Sequence, residues 1–273
     1  MKKNVEFSII IPVFNEELNI KKLCKEISKN LNNYQNYEII IIDDCSTDNS
    51  RKVIIDLIKD SKKVKYHFNE INLGQSRSIY NGILKSKTET IVTIDGDGQN
   101  VPADFLALEA KFQTLGDVPG MVAGIRQRRN DGFSRRLASN VAKWIRIIVL
   151  SDTHPDSGCG IKILPRILFL KLPYFNHMHR FMPSLVRRHG GTVIGLPVKH
   201  RPRQAGNSKY RILDRLLVGV SDVLGVIWLL RRAPTPGCIH ELTAPTPTRR
   251  RTTKKIKQNQ IEMYANKKWY TIK

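Results

Sequence analysis

"FSIIIPVF", residues 7–14, is an apolar run rich in β-branched side chains, with no polar residue after Ser8. A strand wetted on one side alternates apolar with polar residues. A continuous run of this length reads as a strand buried on both faces, as in the interior of a parallel sheet. Residues 16–31 follow with Leu18, Leu23, Ile27 and Leu31 at helical spacing. Then come a second apolar strand, "YEIIIIDD" (37–44), and a helix from about Thr47 to Lys59. A short strand over 64–69, a helix across "GQSRSIYNGILKS" (74–86) and a strand in "TIVTID" (90–95) complete this half. Strands separated by helix-length segments are βαβ units, so the class is α/β with a mostly parallel sheet flanked by helices. In such sheets ligands gather at the carboxyl ends of the strands. Polar residues cluster at those ends: Asn15 and Glu16, Asp43 and Asp44, Asp95 and Asp97.

The pattern continues with a helix around 102–115 and a strand at "MVAGIRQR" (121–128), then loosens. Residues 126–146 hold six Arg and one Lys among scattered apolar positions. "GCGIKIL" (158–164) and "TVIGLPVKH" (192–200) read as two more strands, with a helix inside "HRFMPSLVRRHGG" (179–191). A loop, "RPRQAGNSKY" (201–210), leads to a last apolar helix. From Ala233 the composition turns Pro/Thr-rich and then basic, the signature of a disordered tail over 233–273. The globular part is thus expected over 5–232, with a first half to about 125 and a second from about 126.

At 273 residues the chain can bury a substantial core, and its 41% hydrophobic content is ordinary. Its charge is not: 46 Lys+Arg against 24 Asp+Glu give +22, which implies polyanionic company. Cys24, Cys45, Cys159 and Cys238 form no C-x-x-C pair, so free thiols in a reducing compartment are expected. The N-terminal apolar run is interrupted by Pro12 and carries Glu6 nearby, unlike a signal peptide. The longest apolar stretch, 216–230, is short for a span and contains Asp222, so no transmembrane helix is expected, though this segment suits a membrane surface.

"TIDGDGQNVP" (93–102) carries the chemistry. Asp95 and Asp97 fall on one side of an extended chain, and Gly96 between them permits a close turn. Two hard oxygen ligands at this spacing, with Gln99 adding a neutral oxygen, suit Mg2+ or Mn2+. An EF-hand is excluded, because its sixth position would be Asn100 and its twelfth Leu106. A solvated strand-end turn is the competing reading. Asp43 and Asp44 suit the N–H groups of a base or the hydroxyls of a ribose, while Ser46, Thr47 or Asp48 suits a helix cap. Gly74, Ser78 and Gly82, four apart, form a small-residue stripe that lets a helix lie close to the sheet. The histidines form no zinc pair, and the tryptophans read equally well as core or interface residues.

Taken together, "SIIIPVFNEELNI", "IIIDDCSTDNS", "NLGQSRSIYNG", "TIDGDGQNVP", "DSGCGIKIL", "HRFMPSL" and "HRPRQAGNSKY" resemble, in order, the motifs of family 2 inverting glycosyltransferases. The likeness is strongest to the dolichol-phosphate mannose synthase and undecaprenyl-phosphate sugar transferase branch, and runs from about residue 7 to 232. It implies a GT-A fold and a nucleotide-diphosphate sugar donor. By position, Pro12, Phe14 and Glu16 with Asp43, Asp44 and Ser46 would hold the nucleoside, and Asp95, Asp97 and Gln99 a metal bridging the diphosphate. Arg126, Arg135 and Ser139 would receive the acceptor phosphate, while Arg203, Ser208 and Lys209 belong to a loop that folds over the donor phosphates. A metal with Arg203 and Lys209 would stabilise the leaving diphosphate. The implied acceptor is a polyprenyl phosphate, already ionised and itself the nucleophile, needing cations rather than a base.

Resembling enzymes with bacterial lipid acceptors often carry C-terminal membrane spans. None is read here, so a cytoplasmic protein reaching its lipid at an anionic membrane surface, or through a membrane partner protein, is expected. Gly98 stands where such enzymes often have Leu, which leaves the ligand positions intact. Transfer to a glycan or glycolipid hydroxyl is the alternative within the enzyme class. A non-catalytic basic protein binding nucleic acid or membrane is the alternative outside it, though no nucleic acid is expected. GDP-mannose, UDP-glucose and UDP-N-acetylhexosamine remain open as donors.

Overall fold

The first strand, β1 (Phe7–Val13), lies inside the sheet, hydrogen-bonded to β2 (Tyr37–Asp43) on one side and β4 (Thr90–Thr93) on the other, both parallel. Its side chains alternate between two cores. Phe7, Ile9, Ile11 and Val13 face one layer and Ile10 the other, and β2 repeats this with Ile39 and Ile41 against Ile40 and Ile42. Burial on both faces is why the run contains no alternation to water.

The computed structural model describes residues 6–127, 154–202 and 212–232, all within the compact unit Met1–Pro236. Among them are seven strands in the order β3-β2-β1-β4-β6-β5-β7, where β3 is Val64–Phe68, β5 Gly120–Arg126, β6 Lys162–Pro165 and β7 Thr192–Val198. Only β6 among these runs antiparallel, between β4 and β5. It enters the sheet at the edge where its neighbours end, so the residues preceding it lie beside the ligand-bearing ends of β4 and β5.

One face is covered by α1 (Ile20–Asn30), α2 (Ser50–Asp60) and α4 (Phe105–Gln113), whose Ile20, Leu23, Ile27, Ile54, Leu57, Phe105 and Leu108 join the first core. The other face carries α3 (Gln75–Lys85), α5 (Arg166–Lys171), α6 (Met182–Arg188) and α7 (Ile212–Arg232). Two helices begin later than their apolar spacing predicts. Leu18 is 69% exposed, because residues 16–19 form a turn in which the Glu16 carbonyl accepts the Asn19 and Ile20 N–H groups. Residues 46–48 are likewise used in loop contacts, and α2 starts at Ser50. The helix over 166–171 has no periodic signal long enough to predict it.

Of the small-residue stripe, Gly82 is the position that needs to be bare. A β-carbon there would lie 2.5 Å from Ile10 Cγ2 and 3.1 Å from Ile42 Cγ1. Gly82→Ala therefore forces α3 off the sheet and is expected to cost about 1–3 kcal/mol, read as a lowered Tm. An unchanged Tm would show that the helix has room.

Candidate functional site

The parallel strands end at one edge, and the loops leaving β1 and β2 are laced together there. Asn15, with a left-handed φ of 57°, donates its N–H to Ser46 Oγ at 2.9 Å and accepts the Thr47 N–H at 2.7 Å. Glu16 N–H donates to Ser50 Oγ at 2.8 Å, and the Glu16 carboxylate accepts from Asn19 Nδ2 at 2.7 Å. These contacts make a single rigid wall of Pro12, Phe14, Glu16 and Ser46. Asp43, fully buried, accepts from Ser46 N at 2.9 Å and from the Tyr66 hydroxyl at 3.0 Å.

Asp44 is differently employed. Adjacent residues of an extended chain point to opposite faces, so the two carboxylates do not work as a pair. The Asp44 carboxylate accepts from Asn69 Nδ2 at 2.7 Å, Leu73 N at 2.9 Å and Gly74 N at 2.7 Å. It organises the loop that starts α3 and has no oxygen left without a protein donor.

Beyond β4 the chain turns through Asp95, Gly96, Asp97, Gly98 and Gln99. The two glycines serve different needs. A β-carbon on Gly96 would lie 2.8 Å from the Pro12 carbonyl oxygen, and Gly98 has a φ of 72°. The Asp97 carboxylate accepts the Gln99 N–H at 3.1 Å, and Gln75 Nε2, at the start of α3, donates to Asp95 Oδ1 at 2.7 Å. Burial, reinforced by the Asp97 charge, raises the Asp95 carboxyl to about 6. The Asp95 carboxyl also faces bare backbone: a β-carbon on Gly160 would sit 2.2–2.5 Å from its three carboxyl atoms. The Thr93 hydroxyl donates to the Gly160 carbonyl at 2.7 Å and fixes that backbone.

Can these residues hold a divalent ion? No group of three or more His, Cys, Asp or Glu side chains suited to a metal occurs among the described residues. Asp95, Asp97 and Gln99 do not make a closed protein cage. They fit an ion that keeps water and shares substrate phosphates, as Mg2+ and Mn2+ do. The space that Gly160 leaves free at Asp95, and a carboxyl held at the upper end of the carboxylate range, are what such a ligand needs.

Gln99 also ties the turn to a distant segment. Its carbonyl accepts the Arg201 N–H at 2.9 Å, its Nε2 donates to the Arg201 carbonyl at 3.3 Å, and Asn100 bridges to His200. Arg201 itself is held by Glu26, at 2.9 and 3.0 Å. The segment leading into "RQAGNSK" therefore passes beside the two carboxylates. Arg203, Ser208 and Lys209 lie outside the described residues, as do Arg135, Ser139 and the 233–273 tail.

Arg126, the last residue of β5, meets a partner that sequence reasoning missed. Its Nε and Nη2 donate to the two Asp156 oxygens at 2.7 and 2.6 Å, and its backbone N–H to Asp156 Oδ2 at 3.0 Å. Lys162, only 2% exposed, and Gly160 were missed too. A lysine inside the otherwise apolar "IKIL" of a buried strand was the available signal. Gln75 carried none.

A profile of the family described as Glycosyl transferase family 2 matches residues 8–166. The chain is similar to the dodecaprenyl-phosphate galacturonate synthase of Rhizobium johnstonii, 29% identical over 246 residues that cover 86% of this chain and 70% of that protein. Among solved structures, glucosyl-3-phosphoglycerate synthase from Mycobacterium tuberculosis, in complex with Mn2+, UDP and phosphoglyceric acid, superposes with a TM-score of 0.62 at 17% identity, covering 85% of this chain and 81% of that one. A mannosyltransferase from Pyrobaculum calidifontis in complex with GDP-Man and Mn2+ gives a TM-score of 0.60 at 15% identity, over 86% and 66% of the two chains. The shared sheet and flanking helices are a GT-A fold.

Proposed function

From the premise that the chain belongs to glycosyl transferase family 2, we propose that it transfers a sugar from a nucleoside-diphosphate sugar to a polyprenyl phosphate, with inversion. The enzyme is a glycosyltransferase; the donor and acceptor are the proposal. The observation that carries it is the state of the carboxylates at the sheet edge. An alcohol acceptor needs a general base. Asp43 and Asp44 are occupied by protein donors, and Asp156, beside Arg126, is held by a bidentate arginine. An ionised phosphate acceptor needs no base. Its oxygen attacks the anomeric carbon as the bond to the donor's β-phosphate oxygen breaks, and the nucleoside diphosphate leaves with that electron pair.

In this reading the laced wall of Pro12, Phe14, Glu16, Asp43 and Ser46 holds the nucleoside. Asp44 acts through the loop it organises. Asp95, Asp97 and Gln99 would hold Mg2+ or Mn2+, which supplies positive charge to the leaving diphosphate. Gln75 keeps Asp95 oriented. Asp156 fixes Arg126 so that its Nη1 edge, not used in any bond with a described residue, is presented to the acceptor phosphate. Arg135 and Ser139 are assigned to the same phosphate, and Arg203, Ser208 and Lys209 to the donor phosphates. The donor half is placed within about 5–125 and the acceptor half within about 126–232.

The acceptor is met at a membrane surface. No helix among the described residues is long and apolar enough to cross a bilayer. On α7, however, Leu224 and Trp228 are 62% and 63% exposed, one turn apart and followed by exposed Arg231 and Arg232. An apolar ridge beside cations suits an anionic lipid surface.

The test offers GDP-mannose, UDP-glucose, UDP-N-acetylhexosamines and UDP-galacturonate with radiolabelled polyprenyl phosphate, with and without Mn2+. One donor is expected to yield a chloroform-soluble sugar-lipid that depends on the metal. Failure of every donor, with transfer instead to a sugar hydroxyl, would overturn the acceptor assignment.

A further inference from the structure

Lys162 occupies a costly position. It lies in the antiparallel strand at the centre of the sheet, paired with Thr93 and Ala123, and is 2% exposed. Its neighbours along the strand, Ile161, Ile163 and Leu164, are buried apolar residues of the two cores. Its ammonium turns back along the chain and donates to the Cys159 carbonyl. It forms no ion pair with any carboxylate among the described residues. A buried ammonium with a single neutral partner costs several kcal/mol, and burial pulls its proton affinity down.

The charges that reach it explain the position. Asp95 and Asp156 attract it, and Arg126 repels it. Asp156 and Arg126 neutralise each other through their bidentate pair. What remains is Lys162 facing the Asp95 and Asp97 turn from within the sheet. Lys162 also contributes to holding the His179 ring, bonded to Ser76 Oγ at 2.7 Å, in its neutral form, after the larger effect of burial. No second cation is added on that side.

We propose that Lys162 is a positioning residue, a fixed internal counter-charge that makes divalent metal binding depend on the donor diphosphate. This rests on the metal reading above. Without ligand, Lys162 offsets part of the negative charge of the two carboxylates, so they sit close together without a metal. A divalent cation entering alone meets a site already partly neutralised and binds weakly. When the diphosphate arrives with the metal, the same lysine favours the added negative charge. Reciprocity requires that whatever factor the diphosphate adds to metal affinity, the metal adds to diphosphate affinity.

The experiment titrates Mn2+ into the full chain at pH 8, by electron paramagnetic resonance of free Mn2+, alone and with saturating UDP or GDP. Lys162→Met, close in length and uncharged, is expected to bind Mn2+ alone about tenfold more tightly than wild type, and to lose about tenfold of the enhancement given by the nucleotide. Lys162→Arg, which keeps the charge, should restore the wild-type pattern. The metal-free Met variant should melt no lower than wild type, because replacing a buried charge by an apolar side chain is neutral or stabilising. Identical titrations for wild type and Lys162→Met overturn the proposal. So does a Met variant that melts many degrees lower and loses Mn2+ with and without nucleotide, which would make the lysine merely structural. Wild-type protein that binds no Mn2+ under either condition overturns the metal reading itself, and the inference with it.

Discussion

Asp97→Ala is expected to lower sugar transfer by roughly a thousandfold, the scale of losing a principal electrostatic contribution to a transition state, while leaving the fold intact. The side chain is partly exposed, and the hydrogen bond it makes is local, from the Gln99 N–H at 3.1 Å. Such a turn bond contributes about 1 kcal/mol, a shift of a few degrees in Tm for a chain of this size. Part of that loss is returned, because removing Asp97 removes the like charge that raises Asp95. Stability and activity therefore separate. The measurement pairs a thermal melt with metal-dependent turnover on the lipid acceptor. Wild-type turnover by the variant would withdraw the metal assignment, and a collapsed melt would make Asp97 a folding residue.

That separation was visible in the sequence only in part. The parallel half was legible because its strands are β-branched runs buried on both sides, a pattern no helix or half-wet strand produces. The turn at 95–99 was legible because its glycines and carboxylates alternate. Other features depend on contacts between residues far apart in the chain. Asp43 and Asp44 look equivalent as neighbours, yet the pleat sends them to opposite faces, and Asp44 is bound by Leu73 and Gly74 across some thirty positions. Arg126 read as an acceptor ligand, but its clamp, Asp156, is thirty residues away. The direction of β6 follows from where the chain re-enters the sheet, which no local pattern encodes. Its reversal brings Gly160 and Lys162 to the metal-bearing edge.

Gly160→Ala carries the sharpest consequence of that reversal. Its added β-carbon would fall 2.2 Å from Asp95 Oδ2 and 2.5 Å from Oδ1, well inside contact distance. Something must move. The Gly160 backbone is held by the Thr93 hydroxyl at 2.7 Å and by the adjoining ladder between β4 and β6, so it resists. The Asp95 side chain has two torsions and one described donor, Gln75, and gives way first. It leaves the geometry in which it faces Asp97 across the turn. The expected result is a transfer rate lowered about a hundredfold, the penalty of misplacing a group by about an ångström, with Mn2+ affinity reduced in parallel. Stability should fall by only about 1–3 kcal/mol, since one side chain moves at the rim of the sheet. Gly124→Ala is the control, because its β-carbon would meet Ile161, Val198 and Cys159 at 2.8–2.9 Å, in the core rather than at the carboxylates. That variant should lose stability at least as much while keeping Mn2+ affinity. If both variants lost stability alike and neither changed metal binding, the open space at Gly160 would belong to packing and not to the site.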